Sequence, residues 1–209
     1  MSWDSFFTTP LGVGAVVTAC CVALLLFGAC LYRRKTLSIR TVTYSAAAMA
    51  LAFVLSNVKL FQMPQGGSVT PCSMLFIALI GYWFGPASGI LVGVAHGLLN
   101  LAVDPYVVHP LQLLLDYPLA FGALGLAGFF RNAKLGLHIG CAVGILMRGL
   151  MSCVSGFVFF AEYAGDANPV IYSVVYNLSY IIPEILLTLI VISIPPFRQA
   201  IDSVGRRAG

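Results

Sequence analysis

The chain has 209 residues, of which 60% are hydrophobic and only 9% are charged, and its net charge is +4 at pH 7. A typical soluble domain has about 25% charged residues, so this chain has too few charges to cover a soluble surface. The composition therefore excludes a soluble globular protein and predicts an all-α polytopic membrane protein.

Uncharged stretches that are long enough to cross a bilayer follow one another along the chain. A helix needs about 20 apolar residues for this. The run 72–103 is too long for one span, and Gly85-Pro86 divides it because proline cannot continue a helix. Seven transmembrane helices are predicted, at residues 11–32, 41–58, 72–84, 87–103, 110–130, 135–160 and 170–194.

Basic residues in the loops predict the orientation, because lysine and arginine favour the cytoplasmic side. One assignment places Lys59 outside and nine basic residues inside: Arg33, Arg34, Lys35, Arg40, Arg131, Lys134, Arg198, Arg206 and Arg207. The acidic loop residues then fall outside: Asp4, Asp104, Glu162 and Asp166. The N-terminus is thus predicted outside and the C-terminus in the cytoplasm, and the net charge reflects topology rather than nucleic-acid binding.

The chain divides into three predicted parts: an extra N-terminal transmembrane helix with a basic hinge (1–40), a six-helix core (41–195) and a cytoplasmic tail (196–209). No basic residue precedes the first span, so a signal anchor fits better than a cleaved signal peptide. The sequence has no GxxxxGK[ST] loop, no HExxH motif and no cysteine–histidine cluster. We therefore expect no enzyme activity, no metal site and no cofactor in this chain.

Three ionisable residues lie within the predicted spans, where charge is costly and often functional: Asp116, Arg148 and Glu184. Arg148 and Glu184 are both near the middle of their helices, and we expect them to pair and hold these helices together. Asp116 shares one helical face with His109 and Gln112, because the spacings are three and four. This stripe is either a polar helix contact or a pocket wall that offers a carboxylate to a cationic ligand.

Other residues admit two interpretations as well. The segment Gly66–Thr70 on the outer side is either an ordinary turn or a flexible lid. Asn177 lies within a span, so its amide needs a partner from another helix or from a ligand. His96 is either hydrogen-bonded packing or a ligand contact. The pairs Ala46/Ala50 and Ala48/Ala52 have the small-xxx-small spacing that lets another helix approach closely.

Several segments together resemble one known family. They are Gly66-Gly67-Ser68-Val69-Thr70, the hairpin ending in Gly85-Pro86, the stretch Pro105 to Gln112, the stretch Leu115 to Phe121, and Tyr172-Ser173-Val174-Val175-Tyr176-Asn177. They look like the thiamine-specific substrate-binding component (ThiT) of energy-coupling factor transporters. The resemblance covers about residues 41–195, and its most specific part surrounds Asp116-Tyr117.

The resemblance implies a six-helix subunit in the plasma membrane of a prokaryote that binds thiamine near the outer surface. It would associate with a transmembrane coupling protein and two ATPase subunits, which use the ATP. The implied coupling-protein contacts are Ala46 and Ala50. The implied substrate-binding residues, together with those predicted above, are Asp116, Tyr117, Tyr172, Asn177, His96, Gln112, Ser152, Phe160, Gly67 and Ser68.

This chain departs from the family pattern at two positions. Ser152 stands where the family often has a histidine, and His96 stands where the third helix has an aromatic residue. The extra helix at 11–32 is also outside the six-helix pattern. The alternatives are the same fold binding another vitamin or a thiamine precursor, or a membrane assembly protein that does not transport.

Overall fold

The structure, a computed structural model, describes residues 38–208, so the predicted first span and Arg33 to Lys35 lie outside the described residues. In this range the chain forms a short 3₁₀ turn (Ala161–Ala164) and seven longer helices: α1 (Ile39–Ser56), α2 (Ser73–Phe84), α3 (Pro86–Val103), α4 (Pro110–Phe130), α5 (Gly136–Phe159), α6 (Pro169–Ser193) and α7 (Pro195–Ala208). Five of them, all except α2 and α7, are long and apolar enough to cross a membrane. The all-α polytopic membrane fold is thereby confirmed.

Local sequence signals account for where these helices begin and end. Asn168 caps α6, since its Oδ1 accepts from the backbone N–H of Val170 at 2.9 Å and of Ile171 at 3.2 Å. Gly85, at a φ of +96°, ends α2 in a conformation that favours glycine, and Pro86 then begins α3. The predicted hairpin between two helices is formed in this way.

Helix α4 is a composite helix. It begins in α-helical form at Pro110, passes through a π-helical turn at Leu115–Leu119 and ends in a 3₁₀ turn at Leu124–Phe130. Pro118 lies inside the π-helical turn and has no N–H to donate, and the N–H of Ala120 donates to the carbonyl of Leu115. The widened turn accommodates proline without breaking the span.

Glycines bring the backbones of α2, α3 and α4 into direct contact. A Cβ atom on Gly89 would lie 2.6 Å from Gly81 Cα, and one on Gly125 would overlap the backbone of Gly89 and Ile90. A Cβ atom on Gly93 would overlap the carbonyl group of Phe121. Such close approach requires residues without side chains, and it fixes the position of α4 beside α3.

The segment predicted as a cytoplasmic tail forms helix α7, a secondary structure that was not predicted. Ile201 is only 8% exposed and packs in the same apolar cluster as Leu79 and Ile192. The helix contacts α1, α2 and α6. Burial of this apolar side chain holds the segment against the bundle.

The two ends of the bundle differ in chemistry. Consecutive helices alternate in direction, so every second connection lies at the same end. The basic end contains Arg40, Arg131, Lys134, Arg198, Arg206 and Arg207. The loop end contains the connecting segments 57–72, 104–109 and 160–168. In the first of these segments, β1 (Phe61–Gln62) pairs antiparallel with β2 (Ser68–Val69).

Candidate functional site

A cavity of about 600 Å³ opens at the loop end and is lined by residues of α1 to α6 and their connections. Its volume lies within the range of about 300–1,000 Å³ that is usual for small-molecule sites. The structure brings nine of the ten predicted substrate-binding residues to its wall: Gly67, Ser68, Gln112, Asp116, Tyr117, Ser152, Phe160, Tyr172 and Asn177. His96 is not among the lining residues.

Asp116 presents one oxygen to the protein and leaves the other available. Its Oδ2 accepts a hydrogen bond from Gln112 Nε2 at 2.6 Å and another from Ser155 Oγ at 2.8 Å. Within residues 38–208, no side chain or backbone group donates to Oδ1. The carboxylate is therefore fixed in position while it can still accept a hydrogen bond from a ligand in the cavity.

Gln112 is 1% exposed, and the protein uses both ends of its amide. Besides Asp116, Nε2 donates to the carbonyl of Tyr106 at 3.1 Å, and Oε1 accepts from the N–H of Val108 at 3.1 Å. These bonds connect the 104–109 segment to the carboxylate of Asp116. Gln112 thus positions Asp116 and this segment.

Aromatic side chains form the wall near the mouth of the cavity. The hydroxyl of Tyr117 accepts from the N–H of Tyr106 at 2.8 Å and donates to the carbonyl of Asp104 at 3.1 Å. The rings of Tyr106 and Phe160 are stacked with centroids 5.9 Å apart, and Tyr163 lies 6.2 Å from Phe160. The wall therefore offers flat apolar faces to a ring-shaped ligand.

Asn177 finds its partners on its own helix. Its Nδ2 donates to the carbonyl of Ser173 at 2.9 Å, and its Oδ1 accepts from the hydroxyl of Tyr180. Ser173 in turn donates to the carbonyl of Cys153 at 2.8 Å and links α6 to α5. Both ends of this buried amide thus have the hydrogen-bond partners that they need within a membrane. Oδ1 retains a second lone pair beside the cavity.

The hairpin of β1 and β2 covers the cavity and is fixed to α6, as a closed lid would be. The hydroxyl of Tyr176 accepts from the N–H of Gln65 at 2.9 Å and donates to the carbonyl of Gly66 at 2.8 Å. The hydroxyl of Tyr172 donates to Gln65 Oε1 at 3.0 Å. We call residues 59–72 the lid.

Glu184 anchors the base of the lid, and the predicted ion pair between Glu184 and Arg148 is wrong. The carboxylate of Glu184 accepts from the N–H of Thr70 at 2.7 Å and from its hydroxyl at 2.9 Å. Arg148 instead places its guanidinium carbon 4.7 Å from the centre of the Phe121 ring. Within the described range, the only ion pair is Arg198–Asp202. The N–H and the hydroxyl of Thr70 therefore donate the hydrogen bonds to Glu184 that were expected from Arg148.

The two histidines of the sequence prediction lie away from the cavity. His96 is buried, and its ring meets that of Phe121 edge to face at 5.0 Å. His109 caps α4 by accepting from the N–H of Leu111 at 3.1 Å, and it stacks on Phe159 at 5.2 Å. In this geometry neither side chain reaches a molecule in the cavity, whereas both support residues around it.

Among the lining residues that were not predicted to bind substrate are Phe121, Arg148, Ser155 and Tyr180. Three polar positions on α5, Arg148, Ser152 and Ser155, follow one another at spacings of four and three and thus share a face. That periodicity in an otherwise apolar helix is the signal that would have identified Ser155.

The Gly67→Ala variant should displace the lid and weaken ligand binding by roughly tenfold or more. A Cβ atom at Gly67 would lie 2.5 Å from Tyr180 Cε1, closer than van der Waals contact permits. Gly66→Ala is the matched control, because both glycines have a positive φ, +81° and +88°, but a Cβ atom at Gly66 meets nothing within 4 Å. Titration calorimetry on both variants checks this prediction, and equal affinities would contradict it.

The fold and the cavity define a multi-pass membrane protein that encloses a small-molecule site at one end of its bundle. Residues 42–201 match the family described as "Thiamine transporter protein (Thia_YuaJ)". The chain belongs to this family, and the resemblance to ThiT that the sequence predicted is confirmed.

Individual relatives agree with the family match. The thiamine transporter ThiT of Bacillus subtilis is 37% identical over 161 residues, which cover 70% of this chain and 83% of that protein. ThiT of Lacticaseibacillus paracasei is 24% identical over 184 residues, covering 78% and 88%. The structure of ThiT from Listeria monocytogenes superposes with a TM-score of 0.63 at 22% identity, covers 80% of this chain and 95% of that chain, and shows the common fold. These relatives are named as transporters rather than as enzymes.

Proposed function

We propose that this protein is the substrate-binding component of an ATP-driven vitamin uptake system and that thiamine binds in the cavity at the loop end. The observation that carries this proposal is the position of Asp116, whose Oδ1 is available within a cavity that has aromatic walls. Thiamine has a permanently charged thiazolium ring and a flat aminopyrimidine ring. A carboxylate and aromatic faces are the groups that such a molecule needs.

Each side of the cavity has a proposed role. Asp116 accepts a hydrogen bond from the ligand and balances its positive charge. Tyr117, Phe160 and Tyr172 provide ring faces, while Asn177 and Ser152 provide polar contacts. Gly67 and Ser68 belong to the lid and exclude water once the ligand is bound.

Family membership supports the proposed partners, a transmembrane coupling protein and two ATPase subunits. The two alanine pairs of α1 differ in exposure: Ala48 and Ala52 are buried against the bundle, whereas Ala46 and Ala50 are exposed. An exposed pair of small residues four apart leaves room for a partner helix at close range. We therefore propose that Ala46 and Ala50 contact the coupling protein.

The proposed location is the plasma membrane of a prokaryote, with the cavity facing outward and the C-terminus in the cytoplasm. The distribution of charge supports this orientation, since the basic end lies opposite the cavity. After the ligand binds from outside and the lid closes, the coupling protein and the ATPases would deliver the ligand inward. No cofactor within this chain takes part in the proposal.

Titration calorimetry of the purified protein with thiamine tests the proposed specificity. We expect saturable binding at or below micromolar ligand, because the cavity is largely preformed. Riboflavin, pyridoxine and the separate pyrimidine and thiazole halves of thiamine serve as competitors. Absence of thiamine binding at micromolar concentration would refute the specificity, and tighter binding of one competitor would identify a different vitamin or a precursor as the ligand.

The double variant Ala46→Leu/Ala50→Leu should abolish uptake while thiamine still binds normally. Two isobutyl side chains in place of methyl groups would hold a partner helix away from α1. Leu51→Phe is the control, because Leu51 is also exposed but is one residue from Ala50 and five from Ala46, and so points away from the face that these alanines share. Copurification with the coupling protein and uptake of labelled thiamine check the result. An intact complex in the double variant would remove this surface from the proposal.

A further inference from the structure

Helix α7 lies across the basic end of the bundle. It follows α6 directly, and the extended conformation of Ile194 (ψ 122°) turns the chain at this point. The helix packs against α1, α2 and α6, and a Cβ atom at Gly205 would lie 2.9 Å from Nε1 of Trp83 at the end of α2. Its 14 residues span about 21 Å. This helix therefore packs against neighbouring spans at the basic end of the bundle.

The two faces of α7 differ in chemistry. On the apolar face, Ile201 is buried against the bundle, and Phe197, one turn earlier, is 53% exposed. Arg206 and Arg207 are both exposed near the end of the helix. An amphipathic helix with an exposed aromatic ring and exposed arginines is typical of segments that lie in the membrane interface.

Charge accumulates around α7 beyond its own residues. Arg131 lies beside the turn between α2 and α3, since its Nη1 is 3.5 Å from the position of a Cβ atom on Gly85. Within residues 38–208, the basic end has six basic side chains, and its single acidic side chain is Asp202. Asp202 is already paired with Arg198 Nε at 3.1 Å. The excess positive charge has no counterpart among the described residues.

We propose that α7 and the basic residues around it form a binding surface for anionic phospholipid headgroups. The phosphate group of such a lipid matches the guanidinium groups of Arg206 and Arg207, which bind phosphate through paired hydrogen bonds. Clusters of roughly four to eight basic residues at the ends of membrane helices attract acidic lipids. The basic end has six, of which Arg198, Arg206 and Arg207 belong to α7. The acyl chains of the bound lipid would lie beside Phe197 and Trp83.

Trp83 reports this binding directly. The chain has two tryptophans, so Trp3→Phe leaves Trp83, which packs against α7, as the single fluorophore. The protein is reconstituted into nanodiscs of phosphatidylcholine that contain a small fraction of either brominated phosphatidylglycerol or brominated phosphatidylcholine. At low salt the anionic quencher should be favoured by at least about 25-fold, since each of the two arginines removed should reduce this preference by roughly fivefold.

The variants Arg206→Gln and Arg206→Gln/Arg207→Gln test the assignment, and Lys59→Gln removes one charge at the opposite end as a control. Melting temperatures must match, so that a change in quenching reflects lipid binding rather than unfolding. Equal quenching by both lipids in the parent protein, or an unchanged preference in the double variant, would overturn the proposal. Loss of the preference on adding inorganic phosphate, but not chloride of equal ionic strength, would also overturn it in favour of a site for small anions.

Discussion

Replacing Asp116 with asparagine should weaken thiamine binding by on the order of 100-fold, equivalent to about 3 kcal/mol. The substitution keeps the shape of the side chain but removes a cavity-lining carboxylate whose Oδ1 accepts no hydrogen bond from the described residues. It also replaces one carboxylate oxygen with an amide N–H₂ group. At the position of Oδ2 this group would face the donor Gln112 Nε2, and at the position of Oδ1 it would face the ligand's donor group. Titration calorimetry on parent and variant measures the change.

Asp104→Asn is the matched control for this experiment. Asp104 also lines the cavity, but it is exposed at the mouth, where water screens its charge. We expect its removal to change the affinity by less than about threefold. Unchanged affinity in Asp116→Asn, or an equal loss in both variants, would show that Asp116 has no direct part in binding.

Replacing Glu184 with alanine should destabilise the protein by about 3 kcal/mol and also release the lid. Glu184 is 0% exposed, and its removal leaves the N–H of Thr70 buried without a partner. The apparent melting temperature in detergent should fall by roughly 5–10 °C. Thiamine affinity should fall as well, because closing an unanchored lid costs additional conformational entropy.

Glu184→Gln and Glu162→Ala separate the causes of this effect. Glutamine retains an acceptor for the N–H of Thr70 and should restore most of the stability. Glu162 is an exposed acid at the same end, so its replacement tests the loss of charge alone. A melting temperature of Glu184→Ala equal to that of the parent would contradict the anchoring role.

The membrane helices could be predicted because each depends on a local property of the sequence. Runs without charge identify the spans, and Gly85-Pro86 identifies the hairpin between α2 and α3. Helix α7 was missed because it is short and rich in arginine, which is also typical of a tail. The periodic spacing of Phe197, Ile201 and Val204 indicates its apolar face, but burial of this face depends on Trp83, which is distant in sequence.

The candidate site could be predicted only in part. Asp116 could be identified because a carboxylate within a membrane is energetically costly. The helical period also correctly predicted that Gln112 lies beside it. The partner of Glu184 could not be predicted, because Thr70 is 114 residues away and reaches it through the lid. His96 packs against Phe121 between helices and does not line the cavity. This position could not be predicted, because it depends on how α3 is rotated about its own axis.

The π-helical turn in α4 gives the two halves of this helix separate registers. Gln112, before the turn, and Asp116, within it, line the cavity, whereas Gly122 and Gly125, after the turn, face α3. Deleting one residue from the turn would rotate one half against the other by about 100°. The wider turn therefore sets the angle between the cavity-lining residues and the glycine face of the same helix. A substitution at Gln112 would change the wall of the cavity and leave the glycine contacts with α3 in place.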